Sequence, residues 1–419
     1  RPRLGGRCCT DTTSLGVPVD LGASWLHGAS GHSLRAVVEA LGVPTHKTSA
    51  SDSILFDHDL DSFMFVDVDG AVIPKPAVMR AVKVFDALTT ACRDLAAPYA
   101  PVWPPGSDVS NSPLPPRATE GADAMAGLRS SRMLAWFMAR WEGWFAAGIE
   151  LISLRWHDSE ELVEGGHRIV VPGYSTLVEE LAAPLDVRLG DAVVDIARKD
   201  GRAWTAVPPC GVVVTTASRC KYEADAVVVA LPAGVLKAHH GELFSPALPH
   251  WKGDAFEAVG IGCENKVILR FPFQFWENVA FLGALGATPA NCAYFLNLAP
   301  VVGVPVLAYM PAGRTAEALE ALDDEATVEH TMAILRRMFR NLAVPEPVGH
   351  VVTRWGRDPH SLGAYCYQPV GLSDAQMAAL GEPVGALQFC GEHVCVEYQG
   401  TTHGAAVSAL AAARGVIQR

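Results

Sequence analysis

No Cys-x-x-Cys pair occurs among the ten cysteines of this chain, so neither a zinc framework nor a thioredoxin-like motif is indicated. Their scatter fits reduced, mostly buried thiols in an intracellular compartment. Apolar runs stop short of the ~18 residues a membrane-spanning helix needs. No internal repeat is visible, which sets aside a repeat architecture. Basic residues are in deficit: 33 Lys and Arg face 45 Asp and Glu, a net charge of -12. That balance disfavours a nucleic-acid surface and suits a cationic small molecule, although it also serves solubility. What is abundant is apolar material. Half of the 419 residues are hydrophobic and 19% are charged, enough for two domains or one large two-part fold.

Alternating strand and helix patterns give a mixed α/β class. "GHSLRAVVEALGVP" repeats Leu34, Val37, Val38 and Leu41 at helical spacing, with Gly42 as a stop. "SILFDHDLDSFMFVDVDGAVI" reads as two strands around polar turns, the second at Asp69-Gly70. Residues 97 to 116 are proline-rich and read as irregular. "DAMAGLRSSRMLAWFMARWEGWFAA" is a helix with Leu134, Phe137, Trp141 and Trp144 on one face. Strands follow at "CGVVVTTAS", "ADAVVVALP" and "NKVILRF". The apolar run Ala226 to Leu231 is expected to be buried on both faces of a parallel sheet. "DDEATVEHTMAILRRMFRNL" is a helix capped by Asp323 or Asp324.

Three stretches carry chemistry. A strand reaching Gly391-Glu392 leads through Gly400-Thr401-Thr402-His403-Gly404-Ala405 into an alanine-rich helix. Its N-terminus offers free N–H groups to an anion or electron-rich heteroatom, and small residues let a planar ligand approach the backbone. An ordinary capped helix would look the same. Lys266 opens the strand of "GIGCENKVILRF", where a lone lysine is usually solvated. "TRWGRDPHSLGAYCYQPVG" sets Trp355, Tyr365 and Tyr367 around a Gly-rich turn, as core residues or as the wall of a flat-ligand pocket.

Taken jointly, these stretches resemble the flavin-dependent amine oxidases, specifically the plant-type polyamine oxidases. "RPRLGGR" is similar to the tail of the family's dinucleotide fingerprint, and "VDLGASWLHG" to its next block. "DSILFDHDL", "LISLRW", "GGHRIVVPGY", "LDVRL", "ADAVVVALPAGVLK", "LPHWK", "GCENKVILRF", "TRWGRDP" and "GEHVCVEYQGTTHGA" follow in family order across nearly the whole chain.

The resemblance implies a discontinuous, Rossmann-like FAD-binding domain (1–47, 165–240, 376–419) and a sheet-and-helix substrate domain (48–164, 241–375). It implies that Arg1, Gly5, Gly6 and Arg7 lie near the diphosphate and ribityl chain, and Gly22, Ala23, Ser24 and Trp25 against the cofactor. Val193 meets the adenine end, Glu392 the ribityl or ribose side, and the Thr402 amide the flavin's N1–O2 edge. Lys266 matches the lysine near flavin N5; Trp355 and Tyr365 line the substrate side, Trp355 also touching cofactor; His27 faces the amine channel. Glu150, Asp158 and Glu160 are candidates for holding distal ammonium groups. The implied reaction is hydride transfer from a polyamine to flavin N5, imine hydrolysis and reoxidation by O2 to hydrogen peroxide, of the back-conversion kind. A histone-lysine demethylase-like oxidase and a silent homologue that acts by binding are the alternatives.

Thr401 stands where one family branch has an aromatic, which puts a two-sided aromatic cage in question. Gly363 stands where another branch tethers its flavin through cysteine, so non-covalent FAD is expected. The family's GxGxxG loop and first βαβ unit are expected upstream of Arg1, so the chain reads as an N-terminally truncated sequence. A monomer without metal is expected, peroxisomal or cytoplasmic; no targeting signal is visible.

Overall fold

The computed structural model describes residues 1–27, 33–49, 60–99, 132–157, 166–207 and 210–418. At its centre, six strands run in the order Gly349–Val352, Val267–Arg270, Val306–Tyr309, Ala293–Asn297, Phe281–Ala284 and Phe63–Val66. All neighbours are antiparallel except the last pair. Successive strand residues face opposite sides of a sheet. Here both sides of the inner strands are covered, so they are mostly apolar instead of alternating, while the edge strand Gly349–Val352 carries an exposed His350. Phe65, Ile268, Phe281, Tyr294 and Ala308 pack under the helices Lys75–Ala96 and Arg132–Phe145. Their neighbours Val66, Val267, Leu282, Phe295 and Tyr309 join Met332, Leu335 and Met338 of the helix Asp324–Met338 on the other side. The Asp323 carboxylate caps that helix by accepting from Ala326 N at 2.8 Å.

The tryptophan-rich helix corrects the one-face expectation. Met133 through Met138 are all buried, together with Trp141, Gly143 and Phe145, so the helix is enclosed around most of its circumference. It lies between the sheet and the helix Lys75–Ala96, which the sequence reading passes over although Val78, Ala81, Val82 and Phe85 form a buried stripe. The strand expected before Leu60, the residues between 100 and 131, and Asp158 and Glu160 lie outside the described residues. Residues 97–99 form a 3-10 turn that continues the preceding helix.

A second core gathers around the strand Val227–Val229, paired in parallel with Leu387–Phe389. Val229 is buried there but Val228 is 42% exposed, so burial on both faces does not hold. Among the described residues this parallel sheet has two strands; Leu387–Phe389 is buried throughout, with Gln388 against Gly415 of the C-terminal helix, while the Val228 side of its partner is open. The helices Ala233–Leu243, His250–Ala258 and Asp374–Gly381 share this core, so residues 244–258 pack with the elements on either side of the expected 240/241 boundary. Within it, the fully buried Lys252 donates to the carbonyls of Ala379, Leu380 and Glu382 at 2.7–2.8 Å. That closes the C-terminal end of one helix with the side chain of another.

A three-stranded sheet places Trp25–His27 beside His167–Val170 and Thr45–Ser49. It is backed by the helices Ser33–Ala40 and Tyr174–Ala182 through Leu34, Val38 and Leu177. Gly42 adopts φ +64°, which lets Val43 N reach Val38 O at 3.0 Å as the helix ends; Leu41, expected on the apolar stripe, is exposed beyond the last turn. No described helix is long and apolar enough to cross a membrane.

Candidate active site

A cavity of about 810 Å³ opens where these layers meet. Every residue singled out above as catalytic or cofactor-binding lines it: Arg1, Gly5, Gly6, Arg7, Gly22, Ala23, Ser24, Trp25, His27, Val193, Lys266, Trp355, Tyr365, Glu392, Thr401 and Thr402. Glu150 does not line it. Its carboxylate pairs with Arg314, so the structure gives it no place in holding substrate in the cavity.

The N-terminal turn is built for close backbone approach. Gly5 has φ +87°, and Cys8 N donates to its carbonyl at 2.9 Å. A Cβ on Gly22 would lie 1.7 Å from Arg7 O, so only glycine allows this crossing. Arg7 directs one guanidinium nitrogen to Glu392 and to Ala364 O, both at 2.8 Å. Its charge, expected to face a diphosphate, is matched by Glu392 across 385 residues of chain. Arg1 likewise pairs with Asp358 at 2.7 Å and lies over the Trp355 ring.

Glu392 also accepts from the amides of Cys366 and Gly400. Burial, the largest influence, raises its carboxyl, but the charges of Arg7 and His393 and the hydrogen bonds from Arg7 and Cys366 together hold it below its ordinary value. The Cys366 thiol donates to Glu392 at 3.3 Å, and burial beside that carboxylate pushes it well up. It is therefore held as a thiol, a poor nucleophile.

The helix Thr402–Ile417 starts at the cavity wall. Thr401 is its N-cap, accepting from Gly404 N at 3.0 Å, and the Thr402 hydroxyl meets Tyr174 OH at 2.8 Å. The first amides of a helix have no partner within it and carry its positive dipole end. Gly404 lets this start press on Tyr398 O, 2.1 Å from where a Cβ would stand. The wall is thus short-sided and rich in donors, a fit for a flat group that carries negative charge at its edge.

Lys266 corrects the expectation of a solvated charge. It is 6% exposed, and its ammonium donates to Asp20 O, Gly22 O and Ser24 Oγ at 3.0, 2.7 and 2.6 Å. Burial lowers its pKa, with the Asp20 and Glu264 charges pulling partly back. Tyr365 OH reaches Gly143 O at 2.5 Å and Glu264 Oε2 at 3.2 Å. Trp355 Nε1 donates to Leu21 O at 3.0 Å. His27 meets the buried His167 Nδ1 to Nδ1 at 3.0 Å and abuts Trp144 edge-on. Glu264 and Asp20 were not singled out from the sequence. Glu264 had a signal, since period-two alternation places it on the same side as Lys266; His167 had none, because its role comes from the cross-strand register with His27.

Residues 1–417 match the family model described as flavin containing amine oxidoreductase. The chain belongs to that family. Among its relatives, "Probable polyamine oxidase 4" of Arabidopsis thaliana is 40% identical over 418 residues, covering 99% of this chain and 80% of that protein. "Polyamine oxidase 3" of Oryza sativa subsp. japonica is 41% identical, covering 99% of this chain and 82% of that protein. "Lysine-specific histone demethylase 1 homolog 3" of Arabidopsis thaliana is 32% identical, and the match covers 28% of its length. Flavin-containing amine oxidoreductases bind FAD, and the glycine crossings and helix start on this cavity wall suit that group.

Proposed function

We propose that this flavin-containing amine oxidoreductase oxidises polyamines such as spermine or spermidine, or their acetylated forms, with O2 as acceptor and hydrogen peroxide as product. The observation that carries the proposal is identity of about 40% to plant polyamine oxidases over 99% of the chain. FAD, held without a covalent tether, would supply the acceptor for hydride from the carbon beside the amine nitrogen and the route of electrons to oxygen. The Arg7 turn, the Gly22–Trp25 segment, Val193, Trp355, Glu392 and the Thr401–Thr402 helix start would hold it, in a Rossmann-like part formed by 1–47, 165–240 and 376–419.

The chain's own residues must then admit a cationic amine and present it with one nitrogen neutral. Trp25, Trp144, Tyr294 and Tyr365 give the cavity aromatic walls that accommodate methylene chains and tolerate cations. Lys266, held by three acceptors in the Asp20–Ser24 segment, fixes that segment and keeps a polar hydrogen-bonding group at the reacting end. His27, backed by His167, offers a hydrogen bond on the amine side. A monomer in the peroxisome or cytoplasm is part of the same proposal.

Purified full-length protein supplied with FAD should release hydrogen peroxide from spermine or spermidine in air. Peroxide from a methyl-lysine peptide but from no polyamine would replace this reading with the demethylase one.

A further inference from the structure

The segment that carries Lys266 brings a second charged side chain to the cavity. Gly262 to Lys266 runs extended and is pinned along both edges. On one edge Gly262 N donates to Tyr365 O and Gly262 O accepts from Ala364 N, both at 2.8 Å. On the other edge Asn265 N meets Pro311 O at 3.0 Å and Gly313 N meets Cys263 O at 2.8 Å. Alternation along an extended chain sends Cys263 and Asn265 one way and Glu264 and Lys266 the other. Asn265 is buried, its amide donating to Glu320 at 2.7 Å and its oxygen accepting from Trp355 N at 2.9 Å. Glu264 and Lys266 line the cavity, and Asn265 between them also touches it.

Three carboxylates line the cavity among the described residues: Asp191, Glu264 and Glu392. Glu392 is matched by Arg7. Asp191 accepts from Ser218 N and Oγ in an exposed turn. Glu264 makes no ion pair with a described residue, and its one side-chain hydrogen bond is the 3.2 Å contact with Tyr365 OH. That hydroxyl has a single hydrogen, and the 2.5 Å contact to Gly143 O claims it more strongly. Glu264 is left with accepting capacity that faces the cavity. A cation entering such a space loses water and needs a fixed opposite charge.

We infer that Glu264 is the carboxylate that receives an ammonium group of the substrate chain near the reacting end, with Tyr365 and the pinned strand fixing its direction. Burial raises the Glu264 carboxyl, and the charges of Arg140 and Lys266 act against that rise. An arriving ammonium adds to their side and favours the ionised form. The inference rests on the amine-oxidising reading.

The test uses the holoenzyme, with binding of a linear diaminoalkane measured by titration calorimetry and flavin reduction by spermidine followed anaerobically. Glu264→Gln should weaken diaminoalkane binding tenfold or more, and lower the limiting reduction rate by a smaller factor, while the flavin spectrum stays that of the bound cofactor. Glu264→Asp, which keeps the charge with a shorter reach, should fall between, and it decides the matter if Glu264→Gln does not fold. Wild-type affinity in both folded variants, with wild-type enzyme still reduced by spermidine, would overturn the inference alone. A wild-type enzyme reduced by no amine would overturn the amine-oxidising reading, and this inference with it.

Discussion

Replacing Glu392 with Gln is expected to cost about 3 kcal/mol of stability and most of the protein's retained flavin. The change removes the charge that matches Arg7, whose guanidinium is one-quarter exposed or less and cannot lose its proton. It also weakens the acceptor for the Cys366 and Gly400 amides, which brace the turn before the C-terminal helix. Removing one partner of a buried pair costs more than the pair contributes, because the remaining charge stays desolvated. The pH dependence has a definite sign. The Glu392 carboxyl titrates lower in the folded state, so its contribution is complete above its ordinary value of 4.5 and is lost as pH falls through the lower folded value. Denaturant melts of both proteins should therefore differ fully at neutral pH and converge in acid. A gap that persists undiminished in acid would point to packing, not charge.

Lys266→Met is expected to slow turnover by about a hundredfold, the scale of a lost proton-handling group, while FAD remains bound. Methionine fills similar space but leaves Asp20 O, Gly22 O and Ser24 Oγ without their buried donor. The nearby Asp20 carboxyl, which burial already pushes up to about 6, would lose the cation that holds it down and rise further. Stopped-flow measurement of reduction by amine and reoxidation by oxygen, done separately, assigns the loss to one half of the cycle. Unchanged rates in both halves would leave Lys266 a structural staple only.

The two fates of sequence reading here have physical causes. The C-terminal unit was legible because each of its parts is local: the strand to Phe389, the glycine turn, and the Thr401 cap are set by neighbours within a few residues. The six-stranded sheet was legible in two strands, Val267–Arg270 within "NKVILRF" and Phe63–Val66 within "SFMFVDV", for the same reason. Long-range pairing was not. Arg7 reaches Glu392 and Arg1 reaches Asp358 across more than 350 residues, and no spacing rule ties such positions. Val228 misled because an apolar run reports what a strand can bury, while its neighbours decide what it does bury. The helix Lys75–Ala96 was missed because its mixed composition hides a narrow stripe from Val78 to Phe85. Glu264 was overlooked beside Lys266, although the same period-two rule placed them together.

Oxidation of polyamines in this cavity with bound FAD is tested most directly by anaerobic titration. Purified full-length protein should be yellow, and spermine or spermidine added without oxygen should bleach the flavin absorbance, which air then restores. Flavin that binds firmly and is bleached by no amine would contradict the account.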